Sequence, residues 1–221
     1  MMRNYFKKLG DFRRDDSLAI KLRLKRIALL KELIFCLPKP IRFLDVGGTE
    51  IFWERMGFAG NKDIEIILLN LSEVEIHYPN FKSVVGDARN MPEFRDGEFD
   101  VVFSNSVIEH VGGYEEQKQM AKEVQRVGKR YFLQTPNFYF PFEPHFLFPF
   151  FQFFPLWLKV FLLRHFNLGW YNKITDRPQA IKTANSIRLL KKRELKQLFP
   201  RATIYEQKFY GLTISFIVYR W

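Results

Sequence analysis

Polar residues and glycines end four successive apolar segments of this chain, and their chemistry suits a nucleotide-like ligand. Asp45, Gly47 and Gly48 close the first segment, Asn70 the second, Asp87 and Ala88 the third, and Ser104 and Asn105 the fourth. Glycines in such a place let the backbone turn tightly and approach a ligand without a Cβ atom in the way. Carboxylate and amide side chains can bind hydroxyl and amino groups of the same ligand. We therefore expect a single binding crevice formed by these four ends.

The apolar segments alternate with stretches that permit helices, and this order predicts the fold class. Strands are predicted at residues 41–46, 64–70, 82–86, 99–104 and 130–135, and helices near 51–58, 72–77 and 114–127. Such alternation is typical of a doubly wound α/β fold, with a mostly parallel sheet and helices on both faces. A helix at 188–198 and an antiparallel hairpin of residues 202–209 and 212–220, joined at Gly211, complete it.

The order and spacing of these motifs resemble those of the class I S-adenosylmethionine-dependent methyltransferases, specifically the small-molecule type 11 branch. The resemblance covers about residues 40–136. It implies a Rossmann-like fold, methyl transfer, and S-adenosylmethionine as the cofactor. It also implies roles for the strand ends: Asp45, Gly47, Gly48, Ser104 and Asn105 on the methionine part, Asn70 on the ribose, and Asp87 with Ala88 on the adenine.

Two features depart from the pattern of that family. The run Asp45-Val46-Gly47-Gly48-Thr49-Glu50 is one residue shorter than the usual glycine loop, and Asn70 stands where the family has a carboxylate. An amide offers one acceptor oxygen and two donors, in place of a charged group with two acceptor oxygens. Weaker ribose binding is therefore expected.

Candidates for contact with the methyl acceptor follow the fifth strand. Thr135-Pro136-Asn137 and Glu143-Pro144-His145 resemble the region that covers the acceptor pocket in type 11 relatives. A histidine or carboxylate there could act as a base, so Glu143 and His145 are candidate catalytic residues, with His110 behind them. His145 is equally compatible with packing among the surrounding aromatic rings. No metal site is predicted, and the single cysteine, Cys36, which is expected in the core, excludes a site with paired thiolates.

Two absences argue against nucleic acid as the methyl acceptor. No Asn-Pro-Pro-aromatic or Asp-Pro-Pro-aromatic run follows the fourth strand, which speaks against methylation of base amino groups. One cysteine cannot supply the pair used by cytosine-5 RNA methyltransferases. The predicted acceptor is therefore a small or lipid-like molecule.

The net charge of +11 is concentrated in two segments. Residues 1–42 hold 12 lysines and arginines against 4 acidic residues, and residues 182–201 hold 7 against 1. Both segments could attract phosphates of nucleic acid or anionic lipid, or simply solvate helix faces. Residues 1–39 are predicted as a basic extension with a helix from Leu18 to Leu37 capped by Ser17, and residues 40–221 as the cofactor-binding domain. The lack of a signal-peptide pattern favours the cytoplasm.

Residues 137–172 form an aromatic insert that an ordinary crossover does not need. Eleven of the 25 phenylalanines lie between Phe138 and Phe166, and prolines interrupt the run, so a spanning helix is not expected. The insert is predicted to be a lid that also contacts an anionic membrane surface, with packing on the sheet edge as the alternative.

The predicted function is methyl transfer from S-adenosylmethionine. A basic RNA methyltransferase and a non-catalytic membrane-surface module remain alternatives.

Overall fold

The computed structural model describes residues 17–221, and the basic leader at residues 1–16 lies outside the described residues. The strands are β1 Ile41–Val46, β2 Ile64–Asn70, β3 Phe81–Val85, β4 Val101–Asn105, β5 Tyr131–Pro136, β6 Phe142–Glu143, β7 Phe148–Pro149, β8 Thr203–Phe209 and β9 Leu212–Arg220. The helices are α1 Leu18–Ile34, α2 Glu50–Arg55, α3 Tyr114–Val127, α4 Leu156–His165, α5 Arg177–Asn185 and α6 Lys192–Leu198.

Seven of these strands form one sheet in the order β3-β2-β1-β4-β5-β9-β8. Strands β1 to β5 are parallel to one another, and β9 pairs antiparallel with both β5 and β8. The predicted α/β class with an antiparallel hairpin at one edge is therefore confirmed. The order reverses between β1 and β4, and a doubly wound sheet binds its ligands at such a switch point, outside the carboxyl ends of the strands.

Two apolar layers cover the sheet. On one face α1 packs Ile20, Ile27, Leu30 and Ile34 against a cluster that includes Trp53. On the other face α3 and α6 pack against the opposite side of β1, β4 and β5. Helix α1 begins after Ser17 as predicted, because the Ser17 hydroxyl accepts a hydrogen bond from the Ile20 amide at 3.1 Å.

Three local predictions are wrong. Residues 72–77 do not form a helix. The Glu50 carboxylate accepts hydrogen bonds from the backbone amides of His77 and Tyr78, and these bonds hold the connection extended. Helix α6 begins only at Lys192, because Leu190 is paired with Asn137 in an isolated bridge. Cys36 lies beyond the end of α1 and is exposed rather than in the core.

The aromatic insert carries a small core of its own. Phe146 and Phe151 are buried there with residues of α4 and α5, and their ring centroids are 4.1 Å apart. Other aromatic residues of the insert, including Phe150, Trp157 and Phe161, are exposed. Within residues 17–221 no helix is both long and apolar enough to cross a membrane.

Candidate functional site

The end of β1 is a tightly packed turn built around a buried carboxylate. Asp45 Oδ2 accepts a hydrogen bond of 2.6 Å from the Trp53 indole, whereas Asp45 Oδ1 is buried and has no hydrogen-bond partner among the described residues. Burial raises the pKa of Asp45 to about 7, although the Trp53 bond opposes the shift. This carboxyl group therefore changes charge near neutral pH.

The two glycines of the turn are needed for different reasons. Gly47 has a φ of +75°, which favours glycine. A Cβ atom on Gly48 would lie 1.5 Å from Asp45 Oδ2, so the Asp45 carboxylate occupies the space that a side chain would need. Gly48 is therefore required by the packing of the protein itself, and not only by the approach of a ligand.

The Asn70 side chain explains how the shorter loop is held. Its Nδ2 atom donates to the Gly48 carbonyl oxygen at 3.0 Å, which ties the end of β2 to the turn after β1. A carboxylate at this position could not donate this bond. The substitution of Asn70 for an acid therefore matches the altered glycine turn.

Asp87 lies at the end of β3 and is already engaged. Its carboxylate accepts from Arg89 Nε at 2.9 Å and from Arg89 Nη2 at 2.5 Å. The hydrogen bonds of Arg89 lower the pKa of Asp87, so the group is ionised at neutral pH. Ala88 follows it and packs partly against the core. A ligand amine at Asp87 would share the carboxylate with Arg89.

The two polar residues at the end of β4 have different surroundings. Ser104 is buried, and its hydroxyl donates to the Val46 carbonyl oxygen at 3.3 Å. Asn105 Oδ1 accepts a bond of 2.8 Å from Arg26 of α1. Sequence reasoning missed Arg26. Its position beside the apolar stripe of α1, next to Ile27, was the available signal.

The path of the insert brings the three predicted catalytic side chains, Glu143, His145 and His110, together with a fourth acidic side chain. Glu143 is buried and accepts from the backbone amides of His145 and Phe146, while its Oε1 lies 2.7 Å from His145 Nδ1. The rings of His110 and His145 meet edge to face with centroids 4.8 Å apart. The fourth side chain, Glu109, is fully buried and lies beside His145.

Glu109 was not among the predicted catalytic residues, although it lies within a motif that the sequence made conspicuous, Ile108-Glu109-His110-Val111. Its Oε2 accepts from the Thr135 hydroxyl at 3.0 Å, and its Oε1 has no hydrogen-bond partner in the described part of the chain. Burial raises the pKa of Glu109. Burial alone would lower the pKa of His145, but its bond to Glu143 and the charges of Glu143 and Glu109 raise it overall.

A cavity of about 400 Å³ lies between α1, the carboxyl end of β5, the insert and the final hairpin. Its walls are mainly apolar and include Leu22, Phe140, Phe142, Leu147, Phe209 and Ile214. His145 lines this cavity, and Arg23 and Arg26 bring positive charge to it. Such a pocket, apolar with a few convergent polar groups, is typical of a site for a small molecule.

The β1 turn fits the charge of S-adenosylmethionine. The cofactor carries an ammonium group and a sulfonium, and Asp45 Oδ1, at the switch point of the sheet, is a buried acceptor that no described residue binds. A cationic group would satisfy this oxygen and offset the energy cost of burying the charge. Gly47 leaves the adjacent backbone without a side chain. The residues present therefore fit the group.

The sequence and the fold both match known methyltransferases. Residues 44–131 match the model of a family described as a methyltransferase domain. No curated protein sequence matches the chain. A SAM-dependent methyltransferase from Aquifex aeolicus is 14% identical in sequence, with 98% of this chain and 96% of that chain covered, at a TM-score of 0.51.

Two further methyltransferase structures have a similar fold. The CurJ carbon methyltransferase is 13% identical, with 88% of this chain and 53% of that chain covered, at a TM-score of 0.54. The CMeT domain of the citrinin polyketide synthase is 12% identical, with 91% and 52% covered, at a TM-score of 0.53. This chain thus spans about half the length of both structures. The matched domain, the strand order and the fold together support a methyltransferase domain similar to those of the class I S-adenosylmethionine-dependent methyltransferases of the type 11 branch.

Proposed function

We propose that this methyltransferase acts on a small amphiphilic acceptor with an apolar body and an anionic group. The observation that carries the proposal is the apolar cavity of about 400 Å³ with Arg26 in its wall. The acceptor body lies against the phenylalanines, and its anionic group lies against Arg26. His145, held by Glu143, and His110 lie at the group that receives the methyl.

The state of Arg26 supports an anionic ligand. Arg26 is only 8% exposed, and its described hydrogen bonds go to the neutral groups Asn105 Oδ1 and the Leu22 carbonyl oxygen. Burial, followed by the nearby charge of Arg23, lowers the pKa of Arg26 to about 9, while Glu109 acts in the opposite direction. A buried cation without a hydrogen-bonded anion is costly. A carboxylate, sulfonate or phosphate on the ligand would offset that cost.

The cofactor-binding residues would be those at the four strand ends. Asp45, Gly47 and Gly48 would hold the methionine part together with Ser104 and Asn105, Asn70 would offer its amide oxygen to the ribose, and Asp87 with Ala88 would hold the adenine. S-adenosylmethionine supplies a methyl group on a sulfonium, so the protein mainly has to align the acceptor with it and accommodate the proton that leaves.

Arg26→Gln is expected to remove the preference of the cavity for an anionic probe. Anilinonaphthalene sulfonate and the neutral N-phenyl-1-naphthylamine have similar apolar bodies, and both fluoresce when bound in apolar sites. The wild-type protein should bind the sulfonate more tightly than the neutral probe. The variant should lose this preference by about tenfold, the scale of a lost charge-assisted hydrogen bond, as measured by fluorescence titration.

Lys25→Gln is the matched control, because Lys25 is the exposed neighbour of Arg26 on α1 and does not line the cavity. It should keep the wild-type preference. An equal loss in both variants, or no preference in the wild-type protein, would show that Arg26 is not an anion site.

The late basic segment gives less support to an RNA acceptor. Arg188 is paired with Glu194, Lys192 with Glu206, and Lys191 Nζ lies 5.0 Å from the centre of the Phe138 ring. Cations with such partners are less available to phosphates. Labelled methyl transfer to a lipid extract and to RNA, measured side by side, separates the two acceptor classes.

We also propose that exposed aromatic side chains of the insert rest on an anionic membrane surface. Trp157 and Phe161 are one turn apart on α4, and Trp157 is 70% exposed. Arg164 and Arg177 border the same surface. Interfacial helices combine exposed aromatic rings with cationic side chains in this way. This surface would bring the enzyme to lipid-like acceptors.

Replacing both Trp157 and Phe161 with serine is expected to weaken sedimentation with phosphatidylserine vesicles at low salt by tenfold or more. The lost apolar burial contributes about 1.5–3 kcal/mol per fully buried side chain. Tyr210→Ser is the control, because Tyr210 is also an exposed aromatic residue, 92% accessible, that lies in the turn between β8 and β9 and not on α4. If the wild-type protein stays in the supernatant with anionic vesicles, the membrane proposal is wrong.

A further inference from the structure

We propose that Glu109, His110 and His145 form a site for one divalent transition-metal ion that binds the acceptor hydroxyl. The inference rests on the proposed function for the identity of the acceptor, but the ion site itself stands on geometry. One ligand atom from each of the three side chains lies within 4.8 Å of the others. Two imidazoles and one carboxylate are a typical ligand set for first-row transition metals.

The carboxylate is the strongest sign of a missing ligand. Glu109 is fully buried, Thr135 donates a hydrogen bond to its Oε2, and its Oε1 has no hydrogen-bond partner within residues 17–221. That oxygen lies 4.0 Å from His145 Nε2, so it is directed toward the histidine without bonding to it. Arg26 is a further cation in electrostatic range of Glu109, but its guanidinium is bound to Asn105. A metal ion would supply both the positive charge and the bond that Oε1 lacks.

His145 is oriented in the way that metal-binding histidines usually are. Glu143 Oε1 lies 2.7 Å from His145 Nδ1, which leaves Nε2 as the nitrogen that faces Glu109. Glu143 in turn is fixed by the backbone amides of His145 and Phe146. A carboxylate behind the histidine fixes the ring and its tautomer, and such partners are a regular part of metal sites.

The site is open enough to bind a substrate group. His110 is exposed, and His145 lines the acceptor cavity. Metal–nitrogen bonds are about 2.1 Å long, which places neighbouring ligand atoms of a tetrahedral site about 3.4 Å apart, so ligand atoms now up to 4.8 Å apart would approach one another by roughly 1.5 Å on binding. The exposed ring of His110 can make most of this movement. Three protein ligands leave further coordination positions for the acceptor and for water.

The ion would make the acceptor hydroxyl a better nucleophile. A hydroxyl bound to a divalent ion has a lowered pKa and releases its proton to solvent. The acceptor oxygen then forms its bond to the methyl carbon as the bond from that carbon to sulfur breaks. The sulfur keeps the electron pair, and the products are a methyl ether and S-adenosylhomocysteine. Glu109, His110 and His145 act here through the ion and fix the position of the acceptor oxygen.

The test uses Co²⁺ alone as the probe, with the full chain and no acceptor. We expect one Co²⁺ to bind per chain. Its visible d–d absorption should differ from that of aqueous Co²⁺, because the two histidines supply nitrogen ligands, and Zn²⁺ should abolish this absorption by competition. Glu109→Gln should weaken Co²⁺ binding at least tenfold. His110→Ala should also weaken Co²⁺ binding at least tenfold. Because His110 is exposed, this variant is expected to fold, so misfolding would not account for the loss of binding. Circular dichroism of each variant checks the fold.

His77→Ala is the matched control, because His77 also lies beside a buried glutamate, Glu50, at a Nδ1 to Oε2 distance of 2.8 Å. Co²⁺ binding should be unchanged in this variant. Absence of a stoichiometric Co²⁺ spectrum in the wild-type protein, or an unchanged spectrum in folded His110→Ala, would overturn the metal site. The dye preference that depends on Arg26 is measured without metal, so failure of the acceptor proposal is detected separately.

Discussion

Asp45→Asn is expected to reduce S-adenosylmethionine affinity at least tenfold and to change how stability depends on pH. The variant keeps an oxygen that can accept the Trp53 bond, but it removes the charge that would pair with the cationic cofactor. Wild-type affinity should also fall as the pH drops below about 7, because burial raises the pKa of Asp45 to that value. The variant should show no such dependence. Calorimetric titration at pH 6 and pH 8 measures both effects.

The stability effect of Asp45 has a defined sign. Burial raises the folded pKa of this carboxyl from 3.8 to about 7, so its contribution to folding is present at low pH and is lost as the pH rises through this range. The melting temperature of Asp45→Asn relative to the wild-type protein should therefore increase from pH 5 to pH 8. The change corresponds to about 2–3 kcal/mol, or roughly 5–10 °C for a domain of this size.

Glu50→Gln is a control with the opposite sign. Burial raises the pKa of Glu50, but hydrogen bonds from His77 and Tyr78 outweigh it and lower the pKa overall. Its contribution to stability is present above the unfolded pKa and is lost as the pH falls through the folded value. Glu50→Gln should thus be less stable than the wild-type protein at pH 8, with a smaller difference near pH 4. If the stability of both variants relative to the wild-type protein changes in the same direction as the pH rises, burial of Asp45 does not explain its pKa.

The sheet could be predicted from sequence because its strands are short, continuous apolar runs. The predicted strands at 41–46 and 64–70 agree with β1 and β2 residue for residue, and the final hairpin agrees within one residue. The error at 72–77 has a different origin. That connection is held extended by the Glu50 carboxylate, which is 27 residues from His77 in the chain. Local pattern carries no information about such a contact.

The candidate site was only partly predictable for the same reason. Strand ends are local features, so the residues that would hold the cofactor could be named from motifs. The pairing of Arg26 with Asn105 spans 79 residues, and the meeting of Glu109 with His145 depends on the path of the aromatic insert. The insert packs around a small core of its own. Its path therefore depends on that packing, which the periodicity of the sequence does not show.

Gly48→Ala is expected to destabilise the fold by about 3 kcal/mol or more, the scale of an overpacked interior site. Its Cβ atom would lie 1.5 Å from Asp45 Oδ2, so the Asp45 side chain would have to leave its bond with Trp53. In an Asp45→Ala background the same Cβ enters space that the carboxylate has vacated, and Gly48→Ala should then cost less than about 1 kcal/mol. Denaturant unfolding of the four proteins measures this coupling, which should be about 2–3 kcal/mol. If Gly48→Ala lowers the free energy of unfolding equally in both backgrounds, the two residues are not coupled and the packing explanation is wrong. A Gly48→Ala protein of wild-type stability that no longer binds S-adenosylmethionine would instead show that the glycine is kept for the approach of the ligand.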